Sequence, residues 1–178
     1  MRIAVTGTPG VGKSTLARLA AERFGWDLAD VRGLADVHGL VVARDEDDDA
    51  DVIDVDRLAD VLEALARDRD PAHVEVLDGH LSHLLPVDLV WVVRCDPRVL
   101  EGRLRGRGYA EDKVRENLEA EAMDLILQEA LGGDAPVVQR DGTRRSPEEL
   151  LSAFVDPEGN PFKNTDLEPI DWSDWLLG

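Results

Sequence analysis

The most informative segment of this 178-residue chain is Gly7-Thr8-Pro9-Gly10-Val11-Gly12-Lys13-Ser14. It matches the pattern G-x-x-x-x-G-K-[ST], in which the glycines let successive backbone N–H groups turn toward a bound phosphate. The stretch follows the short apolar run Arg2–Thr6 and precedes Lys13–Phe24, whose apolar residues recur at helical spacing. Because a strand, this loop and a helix follow one another, the sequence predicts a site for a nucleoside triphosphate.

Individual positions of this phosphate loop (residues 7–14) predict separate contacts with ATP and Mg²⁺. Gly10 and Gly12 let the backbone close around the β-phosphate, and Lys13 is expected to bridge the β- and γ-phosphates. The Ser14 hydroxyl is the expected Mg²⁺ ligand, and Thr15 adds a phosphate contact from the first helical turn.

The rest of the chain alternates between strand and helix patterns. Apolar, β-branched runs at residues 73–77 and 89–93 predict strands buried on both faces, as in parallel sheets. Further predicted elements are helices at residues 55–69, 97–104 and 111–131, a strand at 136–139, and a helix from the N-cap Ser146 to about Phe154. Residues 26–42 are weakly patterned. The alternation predicts an α/β fold with a mainly parallel sheet flanked by helices.

An acid and a histidine come at the end of the second predicted strand. Asp78 is expected to hold Mg²⁺ directly or through water, and the alternative is an acid that only ends a strand. His80 can orient water or a substrate, or it can be structural. His38, His73 and His83 have no supporting pattern and are interpreted as surface or packing residues.

Arginines alternate with glycines at residues 103–109. Such a segment between two helices suits a mobile lid that brings guanidinium groups, Arg107 among them, onto phosphoryl oxygens. The alternative is an ordinary basic helix end, because cations stabilise helix C-termini.

The charge balance excludes some classes of function. The chain has 38 Asp+Glu against 20 Lys+Arg and a formal charge of −18, so a generic electrostatic grip on nucleic acid or anionic lipid is not expected. No apolar run suggests a membrane span or an export signal, and a single cysteine, Cys95, excludes an internal disulfide. We therefore expect a cytoplasmic protein. The acidic excess is interpreted as adaptation to high salt, the alternative being a merely acidic protein, and the run 45–51 as a solvated loop.

These motifs together resemble the atypical adenylate kinase family of archaea and eukaryotic nuclei, also known as a small-ribosomal-subunit maturation ATPase. The resemblance covers about residues 1–155 and implies a P-loop NTPase of the nucleoside-monophosphate-kinase type. It implies a monophosphate-binding insert near residues 29–53 and a lid near 104–114. The positions that match are the loop residues Gly10, Gly12, Lys13, Ser14 and Thr15, the lid arginine Arg107, and Asp78 and His80 of an Asp-x-His element.

The resemblance also implies an activity and partners. These are reversible phosphoryl transfer between ATP and AMP, ATPase activity, and transient binding to a small-subunit ribosomal protein on the pre-ribosome. Ordinary adenylate kinases bind the AMP phosphate with the arginine of an Asp-Gly-Phe-Pro-Arg segment. This chain has Asp-Gly-His-Leu-Ser at 78–82, so that arginine is missing. Arg32 and Arg44 of the insert are candidates to replace it.

Three functions therefore stay open: a monophosphate kinase, an ATPase assembly factor with little kinase activity, and another small-molecule kinase. Residues 156–178 differ in composition and are interpreted as an appended tail, with an extended arm at 156–171 that nucleotide binding does not need. A helical turn would put Trp172, Trp175 and Leu176 on one face. This face is expected either to fold back on the chain's own core or on a second copy, or to dock on the ribosomal partner.

Overall fold

The apolar runs of the sequence form the centre of a parallel sheet. The computed structural model of this protein describes residues 1–45, 50–67, 70 and 73–177. Its strands are β1 (Arg2–Thr6), β2 (Asp27–Asp30), β3 (Val41–Asp45), β4 (Ala50–Ile53), β5 (Glu75–Asp78), β6 (Leu89–Arg94), β7 (Val137–Asp141) and β8 (Asp166–Leu167). Its α-helices are α1 (Lys13–Phe24), α2 (Val31–Val37), α3 (Val55–Ala66), α4 (Pro97–Gly106), α5 (Glu111–Ala122), α6 (Leu125–Leu131) and α7 (Pro147–Ser152).

The main sheet has the order β2-β5-β1-β6-β7-β8, and its neighbouring strands are all parallel. Strand β1 lies between β5 and β6, so the loop that follows it opens at the middle of the carboxyl edge. In doubly wound sheets ligands bind at this edge. The prediction of an α/β fold with a parallel sheet is confirmed.

Alternating side chains of β1 pack into different layers. Ile3 and Val5 join a core cluster that contains residues of α1, α4, α5 and α7, whereas Ala4 joins a cluster with α6. A third cluster packs α2 and α3 against Leu77 of β5. Both faces of the sheet are therefore covered by helices, which explains why its strands are continuous apolar runs.

The predicted cap of the last helix is confirmed. The Ser146 hydroxyl accepts a hydrogen bond from the Glu149 backbone N–H at 3.2 Å, and the Glu149 carboxylate accepts from the Ser146 N–H at 2.8 Å. This reciprocal pair satisfies two N–H groups that a helix N-terminus otherwise leaves open. The helix ends at Ser152, slightly before the predicted end.

The predicted single helix over residues 111–131 is wrong, because the chain turns between α5 and α6. Asp124 adopts a left-handed backbone with φ of 58°. The buried Arg94 donates to the Glu121 carbonyl at 2.7 Å and also to the Asp124 carboxylate. This arginine therefore satisfies a carbonyl at the end of α5 and stabilises the turn.

Two weakly patterned regions gain structure from tertiary contacts. Residues 26–42 form β2, α2 and the start of β3, and the Asp30 side chain caps α2 by accepting from the Gly33 N–H at 2.7 Å. The acidic run 45–51 is not only a loop, because its ends belong to the antiparallel pair β3 and β4. Residues 46–49, at its centre, lie outside the described residues, as do residues 68 and 69 of the predicted helix 55–69.

The C-terminal segment folds back on the domain, so the extended arm predicted at residues 156–171 is wrong and the fold-back alternative for the tryptophan face is confirmed. Strand β8 pairs in parallel with β7 at the edge of the sheet, and Arg140 of β7 forms an ion pair with Asp166. Trp175 packs on the main core cluster from a 3₁₀ helix at Ser173–Leu177. These contacts fasten the segment to the rest of the domain.

Candidate active site

The phosphate loop joins the end of β1 to the start of α1 and has the backbone that its glycines predict. Gly7 has φ of 144°, and a Cβ there would lie 2.4 Å from the Val93 carbonyl oxygen, so only glycine fits. Gly12 has φ of 109° and is the N-cap of α1. In the described chain no side chain caps this helix and its first turn has no acidic residue, so its N–H groups are available to an anion.

Asp78 lies beside the phosphate loop because β5 pairs with β1. Val5 is the register partner of Asp78, and the Gly79 N–H donates to the Val5 carbonyl at 3.3 Å. The Asp78 Oδ1 atom is buried and has no hydrogen-bond partner within the described residues. An ionised oxygen without a partner is costly to bury, so this atom fits a site that a cation completes.

The donor set suits Mg²⁺ that arrives with a nucleotide. Ser14 is exposed in the first turn of α1, where its hydroxyl can reach a ligand. Among the described residues no group of three or more His, Cys, Asp or Glu could hold a metal ion by itself. Mg²⁺ commonly takes one or two protein ligands and completes its shell with phosphate oxygens and water.

Lys13 is the electrostatic centre of the site. Desolvation lowers the pKa of its ammonium group from the usual value, the charge of Asp78 opposes this shift, and the Arg107 charge adds to it. Glu121 also raises this pKa. The structure therefore brings the predicted residues Lys13, Asp78 and Arg107 within electrostatic range of one another. A phosphate bound here would restore the solvation that the ammonium group lacks.

His80 stands at the edge of the same site with its side chain exposed. Partial desolvation lowers its pKa first, followed by the positive charge of Lys13 and by His83. A neutral imidazole with a free nitrogen can accept a proton or a hydrogen bond at neutral pH.

The arginine-rich segment divides into residues with different contacts. Arg107 is the exposed C-cap of α4, and Arg105 forms ion pairs with Glu101 and Glu111. Arg103 donates to the Gly10 and Val11 carbonyls of the phosphate loop at 3.5 and 3.4 Å. Arg103 therefore contacts the backbone of the phosphate loop. The sequence of the basic run does not show which of its arginines has this role.

A buried carboxylate under the phosphate loop was not predicted. Glu121 of α5 accepts from the Thr8 hydroxyl through Oε2, and from Arg94 Nε at 2.8 Å and the Cys95 N–H at 2.9 Å through Oε1. The side chains of Arg94 and Glu121 are each only 2% exposed. The sequence did contain a signal for its burial. Glu121 is three positions after the apolar residue Leu118, so both lie on the same face of the helix.

Two histidines without a sequence pattern have specific partners. The buried His83 lies 3.0 Å from the Thr6 hydroxyl through Nδ1 and 3.1 Å from Glu129 through Nε2. His73 pairs with Asp27 at the opposite end of β5. His83 is therefore more than a packing residue.

Two arginines, Arg32 and Arg44, are candidates for binding the phosphate of AMP, and the structure describes the side chain of the first of them. Arg32 of α2 forms an ion pair with Asp51 of β4, so it ties α2 to the hairpin. The side chain of Arg44 lies outside the described residues. Gly79 packs against Val31, since a Cβ on Gly79 would lie 2.9 Å from the Val31 Cβ.

The fold and this site define a P-loop NTPase with the kinase type of fold. The family described as "AAA domain" matches residues 3–124. Among solved structures, shikimate kinase from Bacteroides thetaiotaomicron has a TM-score of 0.54 with 17% identity, covering 86% of this chain and 93% of that one. A gluconokinase from Sinorhizobium meliloti has a TM-score of 0.53 with 18% identity, covering 85% and 87%. These likenesses concern the fold alone.

Sequence relatives define the family more narrowly. The chain is 42% identical over 174 residues to "Putative adenylate kinase" of Pyrococcus abyssi, covering 98% of this chain and 92% of the relative. The protein of the same name in Methanothermobacter thermautotrophicus is 41% identical over 179 residues, covering 99% of each chain. In Archaeoglobus fulgidus it is 45% identical over 153 residues, covering 86% and 79%. The chain belongs to this family. In the described part of the chain, no helix has the length and apolarity to cross a membrane.

Proposed function

We propose that this protein is an adenylate kinase that transfers the γ-phosphoryl group of ATP reversibly to AMP and accepts other nucleoside monophosphates. The observation that carries the proposal is the unpartnered Asp78 oxygen beside Lys13, at the mouth of a phosphate loop. Family membership supports the choice of a nucleotide as phosphoryl acceptor.

The donor half of the reaction uses the phosphate loop. Gly10 and Gly12 shape its backbone, and Lys13 neutralises charge on the β- and γ-phosphates as the phosphoryl group leaves ATP. Thr15 adds a contact from the exposed first turn of α1. Mg²⁺, held by Ser14 and Asp78, supplies further charge neutralisation when it is bound.

The acceptor half is assigned to the insert at residues 29–53, within a domain of residues 1–155. We place the AMP phosphate near Arg32, whose guanidinium group would exchange its Asp51 partner for the phosphate. The contact between Gly79 and Val31 joins the start of α2 to the segment that carries Asp78 and His80. His80 would then orient the acceptor or a water molecule.

The lid is assigned to residues 104–114, between the end of α4 and the start of α5. Arg107 is exposed and its charge already acts on Lys13, so a modest movement would bring it onto the transferring group. An arginine there would stabilise charge that develops during transfer.

A second candidate function is ATP hydrolysis coupled to maturation of the small ribosomal subunit in the cytoplasm. The net charge of −18 favours a basic ribosomal protein as the partner on the pre-ribosome. The exposed His80 beside Lys13 is suitably placed to orient water. The residues 156–178 are not assigned a role in either reaction.

Phosphoryl transfer from ATP to a panel of acceptors, measured in high salt, distinguishes these functions. The panel contains AMP, other nucleoside monophosphates, shikimate, gluconate and water alone. AMP-dependent formation of ADP is the expected result. Hydrolysis without transfer would instead support the assembly-factor function, and transfer to a metabolite alcohol alone would reject both.

A further inference from the structure

Thr6, at the end of β1, connects two histidines beside the phosphate loop. Its hydroxyl lies 3.1 Å from the His80 carbonyl oxygen, to which it can donate, and 3.0 Å from Nδ1 of His83. On the other side of the ring, Nε2 of His83 lies 3.1 Å from the Glu129 carboxylate of α6. Thr6 is completely buried and the His83 side chain is 1% exposed, whereas the Glu129 side chain is 59% exposed. The contact between Thr6 and His83 is therefore closed to solvent, and the chain of polar groups opens to solvent at Glu129.

The number of protons in this chain decides which bonds form. A hydroxyl has one proton, a neutral imidazole has one N–H, and a carboxylate only accepts. If His83 is neutral, its N–H must face Glu129, so Nδ1 takes the hydroxyl proton of Thr6. The His80 carbonyl then loses its bond from Thr6. If His83 is protonated, Nδ1 donates to Thr6, and the hydroxyl proton is free to bond the His80 carbonyl.

We propose that His83 is a positioning residue that controls, through the Thr6 hydroxyl, whether the His80 carbonyl is hydrogen-bonded to β1. The segment concerned, residues 78–80, carries both Asp78 and His80. The inference rests on the proposed function only for the consequence in catalysis, because the exchange of hydrogen bonds itself does not require any particular reaction.

The surroundings of His83 set the direction of the pH response. Burial lowers its pKa below the usual value, and the hydrogen bond and charge of Glu129 and the His80 carbonyl oppose this shift. The groups that face the ring are Glu129 from α6, His80 from its own segment and the uncharged Thr6 from β1. The ring is therefore neutral at neutral pH, and the bond from Thr6 to His80 forms as the pH falls through the lowered pKa.

NMR spectroscopy of the full chain tests this directly. The imidazole ¹⁵N shifts of His83 and the carbonyl ¹³C shift of residue 80 are followed against pH in a His80→Gln background, where residue 80 does not titrate itself. We expect both signals to change with one midpoint. Thr6→Val should reduce the carbonyl response several-fold while His83 still titrates, because only the direct contact of the ring with the carbonyl then remains, and Thr6→Ser should restore it.

Further variants keep the test decisive if Thr6→Val does not fold. His83→Asn places an amide near the position of Nδ1 but does not titrate, so the carbonyl response should vanish. His73→Gln, which removes the histidine paired with Asp27 at the far end of β5, should leave the response intact. An undiminished response in Thr6→Val, or any response in His83→Asn, would overturn the inference. Because no readout is enzymatic, this outcome is independent of whether AMP is phosphorylated.

Discussion

The hydroxyl of Thr8 in the phosphate loop donates a hydrogen bond to the carboxylate of Glu121, which lies 113 positions later on α5. The same carboxylate accepts from Arg94 and from the Cys95 N–H. One buried side chain thus joins the phosphate loop, the end of β6 and helix α5. If the proposed lid at residues 104–114 moves, its movement is expected to be coupled to the shape of the phosphate loop.

We expect Glu121→Gln to lower the free energy of unfolding by about 2 kcal/mol, because a neutral amide replaces the fully buried carboxylate partner of Arg94 and leaves the more exposed Asp124 to balance its charge. The measurement is urea unfolding with and without ATP, which should also report weaker nucleotide binding. Glu116→Gln on the same helix is the matched control, since Glu116 is in an exposed pair with Lys113 and should change stability by less than about 0.5 kcal/mol. Equal, small effects of both variants would contradict the coupling.

Lys13→Ala should abolish both phosphoryl transfer and ATP hydrolysis while the protein stays folded. Both reactions place charge on the β- and γ-phosphates, and losing such a contact costs about 3 kcal/mol or more in the transition state. Steady-state rates and circular dichroism are the measurements. Lys163→Ala, which removes an exposed lysine of the C-terminal segment, should retain the wild-type rate. Near-wild-type turnover of folded Lys13→Ala would reject the assigned role.

His80→Ala and Asp78→Ala should have different effects on the two reactions. If His80 orients water, its removal reduces hydrolysis more than transfer to AMP. Asp78→Ala should reduce both reactions, because both need the Mg²⁺ ligand, and Asp60→Ala on the exposed side of α3 should reduce neither. The two rates are measured on the same preparations. An equal loss of both in His80→Ala would show that His80 does not act on water.

The acidic excess predicts that salt stabilises this protein. As KCl falls from molar concentrations to about 0.1 M, where the Debye length is about 10 Å, repulsion among surface carboxylates is less screened. The melting temperature should therefore fall, as followed by differential scanning calorimetry, with sucrose as a control for non-ionic solute effects. A constant melting temperature across the series would remove the interpretation as adaptation to high salt.

The sequence predicted the parts of this protein that short segments determine. The residues of the phosphate loop are consecutive in the sequence. The apolar run of β1 and the helical spacing of α1 on either side of the loop predicted its position at the edge of the sheet. Asp78 was predictable because the apolar run of β5 ends at that residue. The cap at Ser146 was equally local, since its partner Glu149 is three residues away.

Features that depend on distant partners were missed. Arg94 of β6 stabilises the turn at Asp124, so residues 111–131 alone did not predict this turn. The two-residue strand β8 is too short for any periodicity, and its place is fixed by pairing with β7 and by the ion pair of Arg140 with Asp166. The contacts of His83 are likewise with residues that are distant in the sequence, Thr6 and Glu129.

Whether this P-loop protein is a kinase for AMP can be measured by tracing the phosphoryl group. ATP labelled in the γ-phosphate is incubated with AMP and Mg²⁺ in high salt, and the products are separated. We expect the label to appear in the β-phosphate of newly formed ADP at the rate at which AMP disappears, and the reverse reaction from ADP to regenerate ATP and AMP. Label recovered only as inorganic phosphate, with AMP unchanged, would contradict it.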